Sequence, residues 1–223
     1  MTSSNRLSYI TGLDGIRAVA VMAVLFYHAN FPWALGGFLG VETFFVLSGF
    51  LITLLLLAEW QATNEINLTH FWLRRARRLL PPLWLLLLAL PALAFVFARD
   101  ALPRLQEDIP AALFYITNWV YIVREVPYFE AFGRPPLLQQ LWSLAVEEQF
   151  YLSWPLILLR MSKNNRYQLL FVIMTALSTV WMAALYSPEI DPLRVYYGTD
   201  TRASGFLVGA MLAMIWSPWQ ARC

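Results

Sequence analysis

Cysteine is nearly absent from the 223 residues: the only one, Cys223, is the last in the sequence. That excludes a disulfide within the chain and argues against a cysteine nucleophile. Histidine is almost as scarce. His28 and His70 stand alone, no His/Cys cluster has ligand spacing, and no metal site is expected. Charge is the third deficit. Asp, Glu, Lys and Arg make up 13% of the chain, against roughly 25% in soluble domains. A net charge of +2 says little by itself, and no nucleic-acid partner is expected. There is no internal repeat, no low-complexity linker, and no strand-like alternation to support a barrel. The first apolar stretch carries Asp14, Arg17 and His28 and leads into further apolar runs, so it is not expected to be a cleaved signal.

What replaces charge is apolar surface. Hydrophobic residues make up 59% of the chain and the mean hydropathy is +0.55. Several runs approach the roughly 20 apolar residues that cross a bilayer. The expected fold is all-α, a polytopic transmembrane helix bundle forming one domain over 1–223. Six spans are read at about 12–31, 38–58, 79–98, 142–160, 167–186 and 203–217. Pro81 and Pro82 suit the first turn of the third, where a missing N–H is harmless. Ser143 suits a helix cap ahead of Glu147.

Arginines in short loops set the orientation. Arg74, Arg75, Arg77 and Arg78 lie between spans two and three, and Arg160, Lys163 and Arg166 between four and five. Both groups are expected in the cytoplasm, which puts the N-terminus inside and the His28 end of span one outside. The segment 109–123, IPAALFYITNWVYIV, would make a seventh span if it crossed. At about 15 residues, with charge on its flanks, it reads instead as re-entrant or surface-lying. Gln139–Glu148 and Gly198–Arg202 then share the side of His28.

Ionisable groups at membrane depth are costly and point to function. Arg17 and His28 are eleven residues apart in GLDGIRAVAVMAVLFYHANF. At about 100° per residue they share one stripe, roughly 16 Å apart along the axis. They could line a cavity between the two faces, or they could be a snorkelling arginine and a packing histidine. Arg74, Arg77 and Arg78 share a helix face that could hold phosphates, or could simply orient span three. Glu147 and Glu148 are adjacent and point about 100° apart, so one partner cannot take both. Asp200, Arg202 and Glu42 could orient a polar substrate on the His28 side, or pair with neighbours. Gly205 and Gly209 make a small-xxx-small face for close helix packing, and Ser48-Gly49 allows close approach.

Five segments in order, GLDGIRAVAVMAVLFYH, GVETFFVLSGFLI, RRARRLLPP, WSLAVEEQFYLSWP and GTDTRASGFLVGA, resemble the membrane acyltransferase-3 family of bacterial O-acetyltransferases. The resemblance covers nearly the whole chain. It implies transfer of an acyl group, often acetyl, from a cytoplasmic acyl-CoA donor to a hydroxyl of an extracytoplasmic glycan or glycolipid, in the bacterial inner membrane. His28 and Arg17 match its arginine-to-histidine motif. Arg74, Arg75, Arg77 and Arg78 match its basic, donor-binding motif, and Glu147 its carboxylate. Glu148 matches a more variable position. Two departures stand out: Glu42 replaces the family's common Asp, and Ser204 replaces an acidic residue. The family also has ten or more spans, so the chain is expected to lack C-terminal helices.

On this reading His28 is the general base toward the acceptor hydroxyl. Glu147 positions the imidazole, and Arg17 contacts the donor or pairs with Asp14. An acyl-histidine intermediate remains open. Two rivals stand beside the enzyme: a transporter or flippase of a polar lipid or acyl group, which would also need intramembrane Arg, His and Glu, and an inactive truncated remnant.

Overall fold

A computed structural model describes residues 10–129, 134–161, 167–189 and 191–216. Among them there are nine α-helices, two short 3₁₀ turns and no strand. Lys163, Arg166, Cys223 and the end of the sixth expected span lie outside the described residues. Two helices, α2 (Leu39–Thr63) and α3 (Leu68–Phe97), are long and apolar enough to cross a membrane, with mean hydropathies of 2.2 and 2.3 in their most apolar windows. The chain divides into two compact units, each described by itself. One takes Met1–Ile66, Leu156–Ala184 and Asp200–Cys223, the other Asn67–Pro155 and Leu185–Thr199.

The first unit is built on α1 (Thr11–His28), α2, α7 (Tyr167–Leu185) and α9 (Thr199–Ile215). Close helix approach explains its glycines. A Cβ on Gly49 would lie 2.0 Å from the Phe206 carbonyl oxygen, and one on Gly209 would lie 1.9 Å from that of Val46. Only hydrogen fits, so α2 and α9 touch backbone to backbone, as the small-residue spacing predicts. Phe45 and Phe206 stack beside the contact with ring centroids 4.7 Å apart. On its other side α2 and the turn before it meet α1, where Gly40 faces the Ala20 carbonyl and Gly37 that of Ala23.

Helix α1 stops at His28, three residues short of the expected Phe31. Asn30 takes the left-handed conformation, φ 57°. Its N–H bonds to the Tyr27 carbonyl at 3.0 Å, and that of Phe31 to the Phe26 carbonyl at 3.1 Å. This is a Schellman ending, which asparagine tolerates. His28 is therefore the last helical residue.

The second unit holds α3, α4 (Leu102–Leu113), α5 (Thr117–Val123), the first part of α6 (Leu141–Met161) and the short α8 (Leu193–Tyr197). Its core gathers Leu83, Leu87, Ala94, Leu105, Ala112 and Leu138. The structure corrects the expected start of the third span. Asn67 caps α3 by accepting from the His70 N–H at 2.9 Å, so the helix begins at Leu68, eleven residues before Leu79. Pro81 and Pro82 are thus inside the helix. There they remove the donors that the Arg77 and Arg78 carbonyls would otherwise receive.

The segment 109–123 is not one helix. It breaks between α4 and α5 at Tyr115, φ 52°, where Tyr115 N–H bonds to Ala112 and Ile116 N–H to Ala111. This is a second Schellman ending. Ser143 is likewise not a cap: α6 begins at Leu141, and the Ser143 hydroxyl donates to the Gln140 carbonyl at 3.3 Å within the first turn.

Candidate functional site

The sequence places His28 at the end of α1, and the local backbone fixes its ring. Its Nδ1 lies 2.8 Å from the Val24 carbonyl oxygen, one turn back. A carbonyl only accepts, so Nδ1 carries the hydrogen. In the neutral ring the basic lone pair is then on Nε2. The imidazole is exposed within its unit. Arg17 holds Asp14 at 3.3 Å, one of the two roles expected of it. The α1 face packed on α2 is centred near Ala20 and Ala23. Arg17 and His28 lie to one side of it, roughly 90–110° round the helix and nearly aligned with each other.

Glu42, Arg202 and Asp200 do not form one cluster of unoccupied substrate ligands. Arg202 donates from Nη1 to Glu42 Oε2 at 3.0 Å, both groups mostly buried. A Cβ on Gly205, three residues after Arg202, would run into the other Glu42 oxygen at 2.3 Å. Arg202 and Gly205 therefore share the face of α9 that holds this carboxylate. Asp200 turns instead to α7: the Trp181 indole N–H donates to its Oδ2 at 2.7 Å, and the Ser178 hydroxyl to its carbonyl at 2.6 Å.

In the second unit the four arginines of α3 separate by helical phase. Arg74, Arg77 and Arg78 are exposed, as their i, i+3, i+4 spacing predicts. The Arg74 guanidinium meets the His70 ring nitrogen at 3.1 Å. Arg75 points elsewhere. Its guanidinium carbon sits 3.4 Å from the centroid of the Tyr151 ring, and its Nη1 is 3.9 Å from Glu148 Oε1. The expectation that Glu148 and this arginine cluster belong to opposite faces of the membrane is corrected by that contact. Glu147 and Glu148 diverge as adjacent helical residues must: Glu147 accepts from the Tyr151 hydroxyl, while Glu148 turns to Arg75. Tyr151 is fixed further by the Trp72 indole, which donates to its carbonyl at 3.2 Å.

Sequence reading missed Gln149. Its amide donates to the Tyr115 carbonyl at 2.7 Å and to Asn118 Oδ1 at 3.0 Å, and its oxygen accepts from Trp119 and Thr199. Asn118 in turn donates to the Tyr197 carbonyl and the Thr199 hydroxyl. A glutamine and an asparagine in apolar helices were the available signal. What they bind is set by the α4–α5 break, which aims the Tyr115 carbonyl at α6.

His28 and Glu147 belong to different units. Every candidate residue, from Arg17 to Arg202, falls within residues 10–222, which match the acyltransferase-3 family, described as an acyltransferase domain. A peptidoglycan O-acetyltransferase of Listeria monocytogenes is 49% identical over 212 residues, covering 93% of this chain and 34% of that protein. A putative O-acetyltransferase of Staphylococcus aureus strain COL is 45% identical over 225 residues, covering 99% and 37%. A putative peptidoglycan O-acetyltransferase of Bacillus subtilis strain 168 is 45% identical over 212 residues, covering 93% and 33%. The chain thus spans about a third of the length of these curated relatives. No solved structure matches. With the family pattern running over nearly all of its length, this chain belongs to the acyltransferase-3 family.

Proposed function

We propose that the chain belongs to a membrane O-acetyltransferase, which takes an acetyl group from acetyl-CoA in the cytoplasm to a hydroxyl of peptidoglycan outside. The polytopic arrangement with a cytoplasmic N-terminus, in the bacterial inner membrane, is part of the same proposal. The observation that carries it is the His28 tautomer. With Nδ1–H committed to the Val24 carbonyl at 2.8 Å, Nε2 is the atom able to take a proton.

In the proposed reaction the acceptor hydroxyl gives its proton to Nε2 as its oxygen bonds to the thioester carbonyl carbon. The carbon–sulfur bond breaks, and the departing thiolate takes up a proton. General-base help of this kind contributes about 10²–10⁴-fold. The carbonyl-rich end of α1 is a favourable place for the positive ring formed on the way. Arg17, braced by Asp14, is proposed to contact the donor.

The donor carries the acyl thioester, and its phosphates suit the exposed face of α3. Arg74, Arg77 and Arg78 present three guanidinium groups on neighbouring positions of two turns, which fits several phosphate oxygens at once.

The test uses the full-length protein in lipid, labelled acetyl-CoA, and a peptidoglycan acceptor. Label should appear covalently on the glycan, and His28→Ala should reduce turnover by at least about 10²-fold while insertion is unchanged. Wild-type turnover in that variant would overturn the base role. Movement of unmodified substrate without transfer would favour a transporter.

A further inference from the structure

The second unit contains a cavity of about 260 Å³ between α3, the α4–α5 break and α6. Most of its wall is apolar, from Trp72, Leu79, Leu80, Phe114 and Leu152. Two opposite charges line it as well. Glu148 Oε1 is buried and has no hydrogen-bond partner among the described residues. The Arg75 nitrogen, 3.9 Å away, is beyond hydrogen-bond range. Arg75 lies over Tyr151, 3.4 Å from the ring centroid. Stacking uses the face of a guanidinium and leaves its N–H edge for an acceptor. A carboxylate short of a donor thus stands beside a guanidinium short of an acceptor. One molecule carrying both missing groups would satisfy the pair.

Depth narrows the choice. Arg74, Arg77 and Arg78 project from the far side of α3 and line no part of the cavity. They are exposed, and exposed guanidiniums are costly inside a bilayer. They therefore hold this stretch of α3 at the level of the lipid headgroups. Trp72, Arg75 and Ala76 lie on the same two turns, and the apolar run begins with Leu79 and Leu80. The rim is apolar too: Leu80, Phe114 and Leu152 are all exposed. The volume is below the roughly 300–1,000 Å³ of drug-sized sites, room for a headgroup but not for a whole lipid. The acyl chains of such a lipid pass out over Leu80.

We infer that this cavity binds the headgroup of a membrane phospholipid in which a phosphate is followed, a few bonds on, by an N–H or O–H. The phosphate takes the open edge of Arg75, and the amine or hydroxyl donates to the Glu148 carboxylate. Charge-assisted hydrogen bonds of this kind are the strong ones, and basic pockets between transmembrane helices on the cytoplasmic side suit lipid headgroups. The inference rests on the membrane placement proposed above and not on the acetyl-transfer reaction. It makes Glu148 a lipid ligand instead of a substrate ligand.

The experiment uses the full-length protein carrying Ala76→Cys in lipid nanodiscs, with the unsubstituted protein as the blank for its own thiols. Maleimide labelling of the introduced thiol is timed in phosphatidylcholine alone, and with phosphatidylethanolamine or phosphatidylglycerol added. Phosphatidylcholine has the phosphate, but its quaternary ammonium has no N–H. Either donor-bearing lipid should slow labelling at least about fivefold relative to it. Adding Glu148→Ala should remove the difference between lipids. Arg75→Gln should do the same, while Arg75→Lys keeps part of it. The comparison of lipids on the Ala76→Cys protein stands whether or not these second substitutions fold. Glycerophosphoethanolamine, the same headgroup without chains, should give no protection at matched concentration. Equal labelling in all three lipids would overturn the inference. Protection by the soluble headgroup as strong as that by the lipid would overturn the lipid as its source and assign the site to a free phosphate ester. Acetyl transfer is read separately, as label on the glycan, so its failure leaves this result intact.

Discussion

Arg202 reaches Glu42 across 160 positions of sequence, Nη1 to Oε2 at 3.0 Å, and Gly205 leaves the room in which the carboxylate sits. Removing one partner of a largely buried, charged hydrogen bond strands the other. Arg202→Ala should therefore lose about 1–3 kcal/mol, read as a lower unfolding temperature in detergent. Replacing both, Glu42→Gln with Arg202→Met, should recover part of that loss, because no buried charge is left without its counterpart. Additive losses in the double variant would show that the two side chains act independently.

Two glycines in one unit should respond oppositely to the same methyl group. Gly209→Ala places a carbon where the Val46 carbonyl oxygen is 1.9 Å away, and backbone cannot yield as a side chain can. Overpacking of this kind costs about 1–3 kcal/mol. Gly15, inside α1, has nothing within 4 Å of the same position. Gly15→Ala should be neutral or gain up to about 1 kcal/mol through helix propensity. Thermal unfolding of the pair, measured side by side, checks the close approach of α2 and α9. Equal effects would mean the helices are not in contact at Gly209.

What could be read from sequence was whatever depends on helical phase. The alignment of Arg17 with His28, the exposure of Arg74, Arg77 and Arg78 together, the divergence of Glu147 from Glu148, and the glycine faces of α2 and α9 all follow from 3.6 residues per turn. Helix ends were less legible. Asn67 caps α3 about three turns ahead of the apolar run, so hydropathy alone put the start at the prolines. Tyr115 takes a left-handed conformation that sequence signals only when glycine or asparagine stands there. Partnerships were least legible. Nothing local distinguishes Arg75–Glu148 from the rival pairings, because the choice is made where α3 meets α6.

Asp108 gives the second unit a pH dependence. It is buried, with the Tyr121 hydroxyl 3.1 Å from one oxygen and Arg124 3.2 Å from the other. Burial pushes its carboxyl above the ordinary value, and the Tyr121 hydrogen bond and the charges of Arg104 and Arg124 only partly oppose this. The folded protein therefore binds this proton more tightly than the unfolded chain. The resulting stability is full below the unfolded value and is lost as the pH rises through the folded one. Asp108→Asn should flatten the dependence of unfolding temperature on pH across that window. A variant whose stability rises more steeply toward low pH than the wild type would contradict the assignment.

The exposed face of α3 can be separated from its role in orienting the chain. Arg77→Gln with Arg78→Gln removes two of the three outward guanidiniums and leaves Arg75 on Tyr151. Each charge-assisted hydrogen bond to a phosphate oxygen is worth about 1.5–3 kcal/mol, so losing even one predicts acetyl-CoA binding at least about tenfold weaker. The loss should shrink as salt is raised, because exposed charges are screened over about 10 Å at 0.1 M. Arg74 and Arg75 keep positive charge at the head of α3, so accessibility labelling of its two ends should report an unchanged orientation. Unaltered affinity together with inverted labelling would return the cluster to a purely topological role. Weakened affinity with unchanged labelling is the outcome that a phosphate-holding face requires.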